Sequence, residues 1–348
     1  MTKLLVTTAH GLFCPLGGFY IDPWKPVERA IITHAHADHA RPGCGSYLGS
    51  HEGRHLLTTR LGADIDLETL AYGEGIDIHG VRVSLHPAGH VLGSAQIRVE
   101  YEGEIVVASG DYKLADDPTC TPFEPVKCHT FITESTFGLP IYKWQSSAAI
   151  FAEIDDWRRG NIAAGKCSVI YSYSLGKAQR LMAGIDPTLG PIYLHGAVDN
   201  VTSAYRASGV ALPETLTMND VPKKHSFAGA TVIAPPSASG GPWTRRFEPA
   251  SDAMASGWML VRGTRRRRAL DRGFVLSDHA DWPGLLSAIE ATGCENVLVT
   301  HGFTAELARY LRERGLNADT LATQYEGEVE ELSPAEAESR AAATQESA

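Results

Sequence analysis

Four potential metal ligands follow one short apolar run, within six positions of one another. The run Ala30-Ile31-Ile32-Thr33 predicts the end of a buried strand, and His34, His36, Asp38 and His39 come next. Side chains two residues apart in extended backbone point the same way, so His34 and His36 can converge on one ion. After a bend, Asp38 and His39 can face a second. Three imidazoles and a carboxylate crowded together need a charge partner to offset their desolvation, so the segment predicts a site for two metal ions.

The same arrangement, in which a strand pattern is followed by a histidine or an acid, recurs along the chain. It gives His90 after the strand pattern at 81–85, Asp111 after 105–108, Glu134 after 131–133, His279 after 273–277 and His301 after 296–300. In this series we predict that Asp111 is a carboxylate that bridges two metals. Asp22 also ends a short β-like run, and we predict that it accepts a hydrogen bond from a ligand imidazole.

The composition is that of an ordinary globular protein, with 43% hydrophobic and 21% charged residues in 348. A length of this size allows one large domain or two interleaved ones. The six cysteines have no CxxC spacing, which argues against a disulfide framework or a thiolate zinc site. No segment resembles a signal peptide or a membrane span, so we predict a cytoplasmic protein without a membrane partner.

The formal net charge of −10 argues against general binding to nucleic acid, although the charge near the site is what decides this. Arginine is concentrated in one stretch, where Arg265, Arg266, Arg267 and Arg268 form either a solvated loop or a track for phosphates. A second candidate for phosphate is the small-residue segment that contains Ser237, Ser239, Gly240 and Gly241. It can form a nest of backbone N–H groups for an anion, or an ordinary turn.

After about residue 140 strand and helix patterns alternate, which predicts a small parallel α/β unit. The expected helices include 146–159 and the start of one at 175–182, and the expected strands include 168–172, 191–194, 230–234 and 258–261. In the first part of the chain, we predict another strand at Leu56-Leu57-Thr58-Thr59.

These motifs resemble those of a known superfamily. The series His34-x-His36-x-Asp38-His39, His90 and Asp111 is similar to the motifs of the metallo-β-lactamases, and Asp22 matches their early acidic motif. Three later motifs resemble those of the β-CASP nucleases, and the chain looks most like the bacterial ligase-associated DNA exonucleases of that family. These three are Glu134-Ser135-Thr136-Phe137-Gly138, Ser277-Asp278-His279-Ala280-Asp281 and Val299-Thr300-His301-Gly302.

The resemblance implies an αββα metallo-β-lactamase sandwich with an inserted, smaller parallel α/β β-CASP domain. Residues 1–138 are expected to form the first part of the sandwich and 139–265 the β-CASP cassette. The return segment of the sandwich is then 266–332, and 333–348 form a disordered tail.

The resemblance also implies the roles of the ligands. One metal takes His34, His36 and His90, the other takes Asp38, His39 and His301, and Asp111 bridges them. Ligands of this kind suit two zinc ions, with manganese as the alternative. We assign His279 to proton donation or to stabilisation of the phosphate charge, with Glu134 orienting it and favouring its protonated form.

The implied function is that of a metal-dependent nuclease, a DNA exonuclease in DNA repair that hydrolyses phosphodiester bonds with a hydroxide activated by two metals. A ribonuclease of the β-CASP type remains an alternative, because a histidine such as His301 resembles the RNA-cleaving members. A small-molecule metallo-hydrolase and an inactive scaffold also remain open. A DNA ligase and a helicase are the partners that the resemblance implies.

Overall fold

The computed structural model describes residues 4–218, 221–222, 225–261 and 270–322. The strands of these residues are β1 (Val6–Thr8), β2 (Gly11–Cys14), β3 (Phe19–Ile21), β4 (Arg29–Ile31), β5 (Ser46–Ser50), β6 (Leu67–Leu70), β7 (Gly75–Ile78), β8 (Val81–Pro87), β9 (Ala95–Tyr101), β10 (Glu104–Ala108), β11 (Thr130–Ser135), β12 (Cys167–Tyr171), β13 (Ile192–Leu194), β14 (Leu216–Thr217), β15 (Thr231–Ala234), β16 (Ala250–Ala255), β17 (Arg272–Phe274), β18 (Asn296–Gly302) and β19 (Asn317–Thr320). The α-helices are α1 (Arg54–Leu61), α2 (Ser147–Ala163), α3 (Lys177–Gly184), α4 (Gly196–Ala207), α5 (Trp282–Thr292) and α6 (Thr304–Glu313).

The described chain divides into two units. The first contains residues 4–143, 207–209 and 278–322, and the second contains 144–206 and the described part of 210–277. The domain boundaries predicted after residues 138, 265 and 332 remain predictions. The tail predicted at 333–348 lies outside the described residues.

The first unit contains two sheets that pack face to face. One has the strand order β1-β2-β3-β4-β5-β6 and the other has the order β19-β18-β11-β10-β9-β8-β7. A buried apolar cluster joins them, with Ile31 and Leu48 from the first sheet and Val83, Ile97 and Ile132 from the second. Burial of this apolar surface is the main stabilising contribution to such a sandwich.

Helices cover the outer faces of both sheets. On the second sheet, Leu285 of α5 and Leu307 of α6 pack on Phe131 and Val297. On the first sheet, α1 lies over β5, where a Cβ at Gly49 would come within 2.4 Å of the Leu57 side chain. The layers therefore run helix, sheet, sheet, helix, and the predicted αββα sandwich is confirmed.

The strand directions bring several strand ends to one edge of the second sheet. Strands β10, β11 and β18 are parallel, and β9 is antiparallel to both β8 and β10. Strand β8 therefore runs the same way as β10, so the carboxyl ends of all four strands meet at this edge. Of the candidate ligands, His90 and Asp111 lie in loops that follow two of these strands, and His301 lies near the end of β18.

The second unit is a parallel sheet with the strand order β14-β13-β15-β12-β16-β17. All five residues of the central strand β12 are buried, as expected for a parallel strand covered on both faces. Ile170 faces a cluster with α2, α3 and α4, whereas Val169 and Tyr171 face a second cluster that includes Phe247. The predicted parallel α/β unit is confirmed.

Two predicted strands are wrong. Leu56 to Thr59 belong to helix α1, where the Thr58 hydroxyl donates to the Arg54 and His55 carbonyls at 3.1 and 3.0 Å and the Thr59 hydroxyl donates to the His55 carbonyl at 2.7 Å. These bonds satisfy β-branched threonines within a helix. The strand predicted at 258–261 is instead a 3₁₀ turn at Gly257–Leu260, because the Ser256 hydroxyl caps the Trp258 amide at 3.3 Å.

No helix among the residues with described structure is long and apolar enough to cross a membrane.

Candidate metal centre

The first group of candidate ligands gathers on loops of the first unit. His34 and His36 follow β4, His90 lies in the loop after β8, and Asp111 follows β10. One donor atom from each of these four residues lies within 4.8 Å of the others. The His36 Nδ1 is 3.0 Å from the His34 Nε2 and 3.2 Å from the His90 Nε2. Residues far apart in the sequence therefore meet at one point, as the motif series predicted.

The second group of candidate ligands adjoins the first through Asp111. The Oδ2 atom of Asp111 is 3.6 Å from the His34 Nε2 and 3.5 Å from the His39 Nε2. The His39 Nε2 is also 3.7 Å from the Asp38 Oδ2, and the rings of His39 and His301 are 5.6 Å apart. One carboxylate oxygen thus stands between two sets of nitrogen and oxygen donors.

The donor set fits divalent metal ions. Imidazole nitrogens and carboxylate oxygens are the ligands that zinc takes in proteins, and manganese can take the same atoms with a lower affinity. His34, His36, His90 and Asp111 supply three nitrogens and one oxygen at mutual distances that a single ion can span. The arrangement is therefore a possible His/Asp metal site.

Asp22 forms hydrogen bonds with two residues of the segment at 33–39, Thr33 and His39. Its Oδ2 accepts hydrogen bonds from the Thr33 hydroxyl at 2.6 Å and from the His39 Nδ1 at 2.7 Å, and its Oδ1 accepts one from the Thr33 amide at 2.8 Å. A carboxylate on one ring nitrogen fixes the other nitrogen as the metal-facing atom. Asp22 therefore lies where it orients the His39 ring.

Two residues at the cluster adopt a backbone conformation that side chains usually avoid. Asp22 has φ 43° and His301 has φ 53°, and among the described residues the other positive-φ side chains are His79 and Glu102. Such conformations cost on the order of 1–3 kcal/mol and persist where the surroundings enforce them. Here they turn the chain so that both side chains reach the cluster.

Three histidines of the cluster are held in the neutral form. Burial lowers the pKa of His34 and of His90 well below the usual range, and the nearby imidazoles of His39 and His279 lower them further. Burial also lowers the pKa of His301. Neutral imidazole is the form that binds a metal, so these rings need not lose a proton at neutral pH.

The surroundings of His39 and Asp111 instead favour their charged forms. Burial disfavours the charge on His39, but the carboxylates of Asp111, Asp38 and Asp22 outweigh it and raise the pKa of His39 well above the usual range. Burial likewise disfavours the Asp111 carboxylate, but His39 lowers the pKa of Asp111 well below its usual value. A metal at His39 therefore has to displace a proton.

His279 and Glu134 form a buried pair beside the first group. The His279 Nδ1 donates to both Glu134 oxygens, at 2.8 and 3.0 Å, and the Tyr112 amide donates to the Glu134 Oε1 at 2.7 Å. The His279 ring centroid is 4.6 Å from that of His90. Glu134 thus orients a histidine next to the candidate ligands, and Glu134, His279 and Asp111 also bring three donor atoms within 4.8 Å of one another.

A small cavity of about 60 Å³ opens beside the second group. Asp38, His39 and His301 line one side of it, and Leu12 and Trp24 line another. The candidate ligands of the second group therefore face a small cavity within the first unit.

The remaining predicted residues lie in the second unit or outside the described residues. Ser237, Ser239, Gly240 and Gly241 follow β15 in the second unit. There, the amides of Ala238 and Ser239 each donate to a carbonyl of their own turn at 3.0 Å. Those two N–H groups are therefore already used, and the phosphate role of this segment remains a prediction. The predicted nucleic-acid contacts Arg265, Arg266, Arg267 and Arg268 lie outside the described residues.

Comparison with known proteins identifies one relative of nearly the whole chain and others that match a part of it. A protein from Opitutus terrae named Probable DNA ligase is 34% identical over 315 residues, which are 90% of this chain and 30% of that protein. Endoribonuclease ysh1 from Aspergillus fumigatus is 30% identical over 209 residues, 56% of this chain and 22% of that protein. The chain thus spans less than a third of the length of these relatives. No protein-family model matches the chain.

A solved structure shares the fold. A protein of unknown function from Enterococcus faecalis matches with a TM-score of 0.59 at 11% identity, over 86% of this chain and 80% of that chain. The paired sheets of the first unit, with candidate ligands on loops at one edge, define the metallo-β-lactamase fold. Together with the parallel unit inserted in the sequence and the relatives above, they show that the chain belongs to the β-CASP family of that superfamily.

Proposed function

We propose that the protein is a metal-dependent phosphodiesterase, and specifically a DNA exonuclease that acts in DNA repair. The observation that carries this proposal is the convergence of the His34, His36, His90 and Asp111 donor atoms beside the buried His279–Glu134 pair. Beside the candidate ligands, the His279–Glu134 pair supplies a group that can handle the leaving oxygen of a phosphodiester.

Two divalent ions would be held by the seven candidate ligands. His34, His36 and His90 would hold one ion, Asp38, His39 and His301 the other, and Asp111 would contact both. We propose zinc, with manganese as the alternative. When bound, such ions stabilise charge on the phosphate and make a hydroxide available at neutral pH.

The protein's own residues would protonate the leaving group. Glu134 keeps a proton on the His279 Nδ1 and favours the imidazolium form, because its carboxylate is within 3.0 Å in a buried site. The imidazolium can then donate the proton of its Nε2 to the departing oxygen, or stabilise charge on the phosphate. The Nδ1 keeps its hydrogen bond to Glu134 throughout, and the Nε2 takes up a proton from solvent before the next cycle.

The choice of DNA is supported by the relative named for DNA ligase. That protein contains a segment similar to 90% of this chain within one longer polypeptide. An enzyme that trims DNA ends and one that seals them need the same substrate, so we propose DNA as the substrate and a DNA ligase as a partner. A helicase is proposed as a further partner on the family resemblance, and we propose a cytoplasmic location.

RNA is the second candidate substrate. The relative from Aspergillus fumigatus is named an endoribonuclease and is 30% identical over 56% of this chain. Recognition of the 2′-hydroxyl depends on the shape of the cleft, which no single motif determines.

Recognition of a terminal phosphate would explain an exonuclease. We propose that Ser237, Ser239, Gly240 and Gly241 contact a 5′ phosphate. Gly240 has φ 72°, a turn conformation in which successive N–H groups can face an anion. Comparison of 5′-phosphate, 5′-hydroxyl and circular substrates tests this, because equal rates on all three would exclude a role for the end.

The decisive experiment incubates metal-loaded protein with end-labelled single-stranded and double-stranded DNA and with matched RNA. His36→Ala protein, purified in the same way, controls for contaminating nucleases. We expect DNA to be shortened from one end and a chelator to stop the reaction. Cleavage of RNA alone would favour the ribonuclease. Turnover of a lactam or thioester without nuclease activity would contradict the proposal.

A further inference from the structure

A lysine and an aspartate are buried together beneath the loop that carries His90. The side chains of Lys113 and Asp117 are only 1% and 3% exposed, and the Lys113 Nζ is 2.8 Å from the Asp117 Oδ2. Burial of two charges is costly even when they are paired, and it is tolerated when further hydrogen bonds hold the pair. The pair therefore has to be held by its surroundings.

Both members of this pair have such further contacts. The Lys113 Nζ donates to the backbone carbonyl of His90 at 3.0 Å. On the other side, the Asp117 Oδ1 accepts from the Thr119 hydroxyl at 2.6 Å and from the Thr119 amide at 2.9 Å. A continuous chain of charged hydrogen bonds thus runs from Thr119 to the main chain of a candidate ligand.

The loop of His90 is joined to the same segment by its backbone. The Lys113 amide donates to the Ala88 carbonyl at 3.1 Å, and the Cys120 thiol lies 3.4 Å from the Gly89 carbonyl. Gly89 has φ 70°, and a Cβ there would lie 2.4 Å from the Lys113 carbonyl oxygen. The loop of His90 and the segment that carries Lys113 are therefore closely packed against each other.

The imidazole of His90 is thereby fixed at two points. Its Nδ1 lies 2.7 Å from the Asp278 carbonyl, and its main chain is held by Lys113. The Nε2 is then left facing Asp111 and His36, at 3.8 Å from the Asp111 Oδ2. Because Asp117 neutralises Lys113, the ammonium fixes geometry without adding net charge beside a cation site.

We propose that Lys113 and Asp117 are positioning residues that set His90 for the ion of the first group. This inference rests on the metal site of the proposed function but not on its substrate. Loss of Lys113 lets the His90 loop relax, so that the first ion binds more weakly while the ion of the Asp38, His39 and His301 group is little affected. A partner that orients a ligand is typically worth about 10- to 100-fold in metal affinity.

Lys113→Met distinguishes positioning from simple electrostatics by the sign of the effect. The substitution removes a positive charge and leaves the Asp117 carboxylate near the site, so Coulomb attraction alone would strengthen cation binding. Positioning requires the opposite result. Lys127→Met is the matched control, because Lys127 is exposed and the same charge is removed.

The experiment measures zinc binding by competition with a chromophoric chelator, and cobalt binding by its visible spectrum. We expect Lys113→Met to weaken binding of the first ion by about 10- to 100-fold and to alter the cobalt spectrum, as we also expect of His90→Ala. The Lys127→Met protein should behave as wild type. Unchanged or tighter zinc binding by folded Lys113→Met protein would overturn the inference.

A milder variant decides the matter if Lys113→Met does not fold. Thr119→Val removes the hydroxyl that holds Asp117 and leaves both charges in place. Weaker binding of the first ion would support the inference, and unchanged binding would overturn it. Neither result depends on nuclease activity, so a protein that binds two ions normally but cleaves nothing would contradict the proposed function alone.

Discussion

Replacement of Asp22 by asparagine should weaken binding of the metal ion at Asp38, His39 and His301 while leaving the fold intact. Asn keeps the shape of the side chain, and its oxygen can still accept from the Thr33 amide, which is 2.8 Å from the Asp22 Oδ1. Its amide nitrogen, however, cannot accept from the His39 Nδ1 that now lies 2.7 Å from the Oδ2. His39 therefore loses the carboxylate that fixes its ring.

The size of this effect can be worked out from the lost contact. Hydrogen bonds to charged groups contribute about 1.5–3 kcal/mol. Each 1.4 kcal/mol corresponds to about a tenfold change in an equilibrium constant, so the expected loss is roughly 10- to 100-fold. This agrees with the range typical of residues that orient a metal ligand.

Equilibrium dialysis against zinc, with both binding constants fitted, measures this loss. We expect Asp22→Asn to weaken zinc binding at the Asp38, His39 and His301 group. The binding constant at the other group should stay nearly unchanged. Asp77→Asn is a suitable control, since the Asp77 Oδ1 accepts a bond from the Gly80 amide in an exposed turn. If folded Asp22→Asn protein binds both ions like wild type, the assigned role of Asp22 is wrong.

Three further predictions follow from the same structure. His279→Ala should retain both metals but lose about 10²- to 10⁴-fold in turnover, as measured by single-turnover cleavage with metal analysis, and full turnover would exclude a catalytic role. Gly89→Ala should destabilise the fold by more than about 2 kcal/mol in urea unfolding, because a left-handed conformation and the contact with the Lys113 carbonyl both oppose a side chain. Burial raises the pKa of the Cys128 and Cys167 thiols to about 12, so at pH 8 only about one in ten thousand is the reactive thiolate. Mass spectrometry should therefore find both thiols unmodified by iodoacetamide until urea is added, and rapid modification of the native protein would show that they are accessible.

The clustering of the candidate ligands could be predicted because the sequence signal of each ligand is local. A strand pattern followed at once by His34 and His36, or by His301, needs only alternation and residue type to be seen. The parallel direction of β10, β11 and β18 then brings their ends together. Candidate ligands at strand ends can therefore be identified from the sequence before the fold is known.

The positioning pair Lys113 and Asp117 could not be predicted in the same way. A lysine four residues before an aspartate is usually an exposed pair of small energetic value. Its importance here comes from burial beneath the His90 loop, and burial depends on the packing of segments far apart in sequence.

The two wrong strand predictions have local causes. Leu56 to Thr59 contain β-branched residues, which favour strands, but hydrogen bonds to the preceding carbonyls satisfy them in helix α1. The apolar run at 258–261 looked like a strand, whereas the true strand β16 has the sequence Ala-Ser-Asp-Ala-Met-Ala, with no β-branched residue. It forms because it pairs with β12 on one side and β17 on the other, which sequence periodicity does not reveal.

The two-metal centre can be tested by anomalous diffraction at the zinc absorption edge, with crystals of the metal-loaded protein. We expect two peaks, one among the nitrogens of His34, His36 and His90 and one among Asp38, His39 and His301, with Asp111 between them. A single peak, or two peaks at other residues, would contradict the assignment of a two-metal centre to this edge of the sandwich.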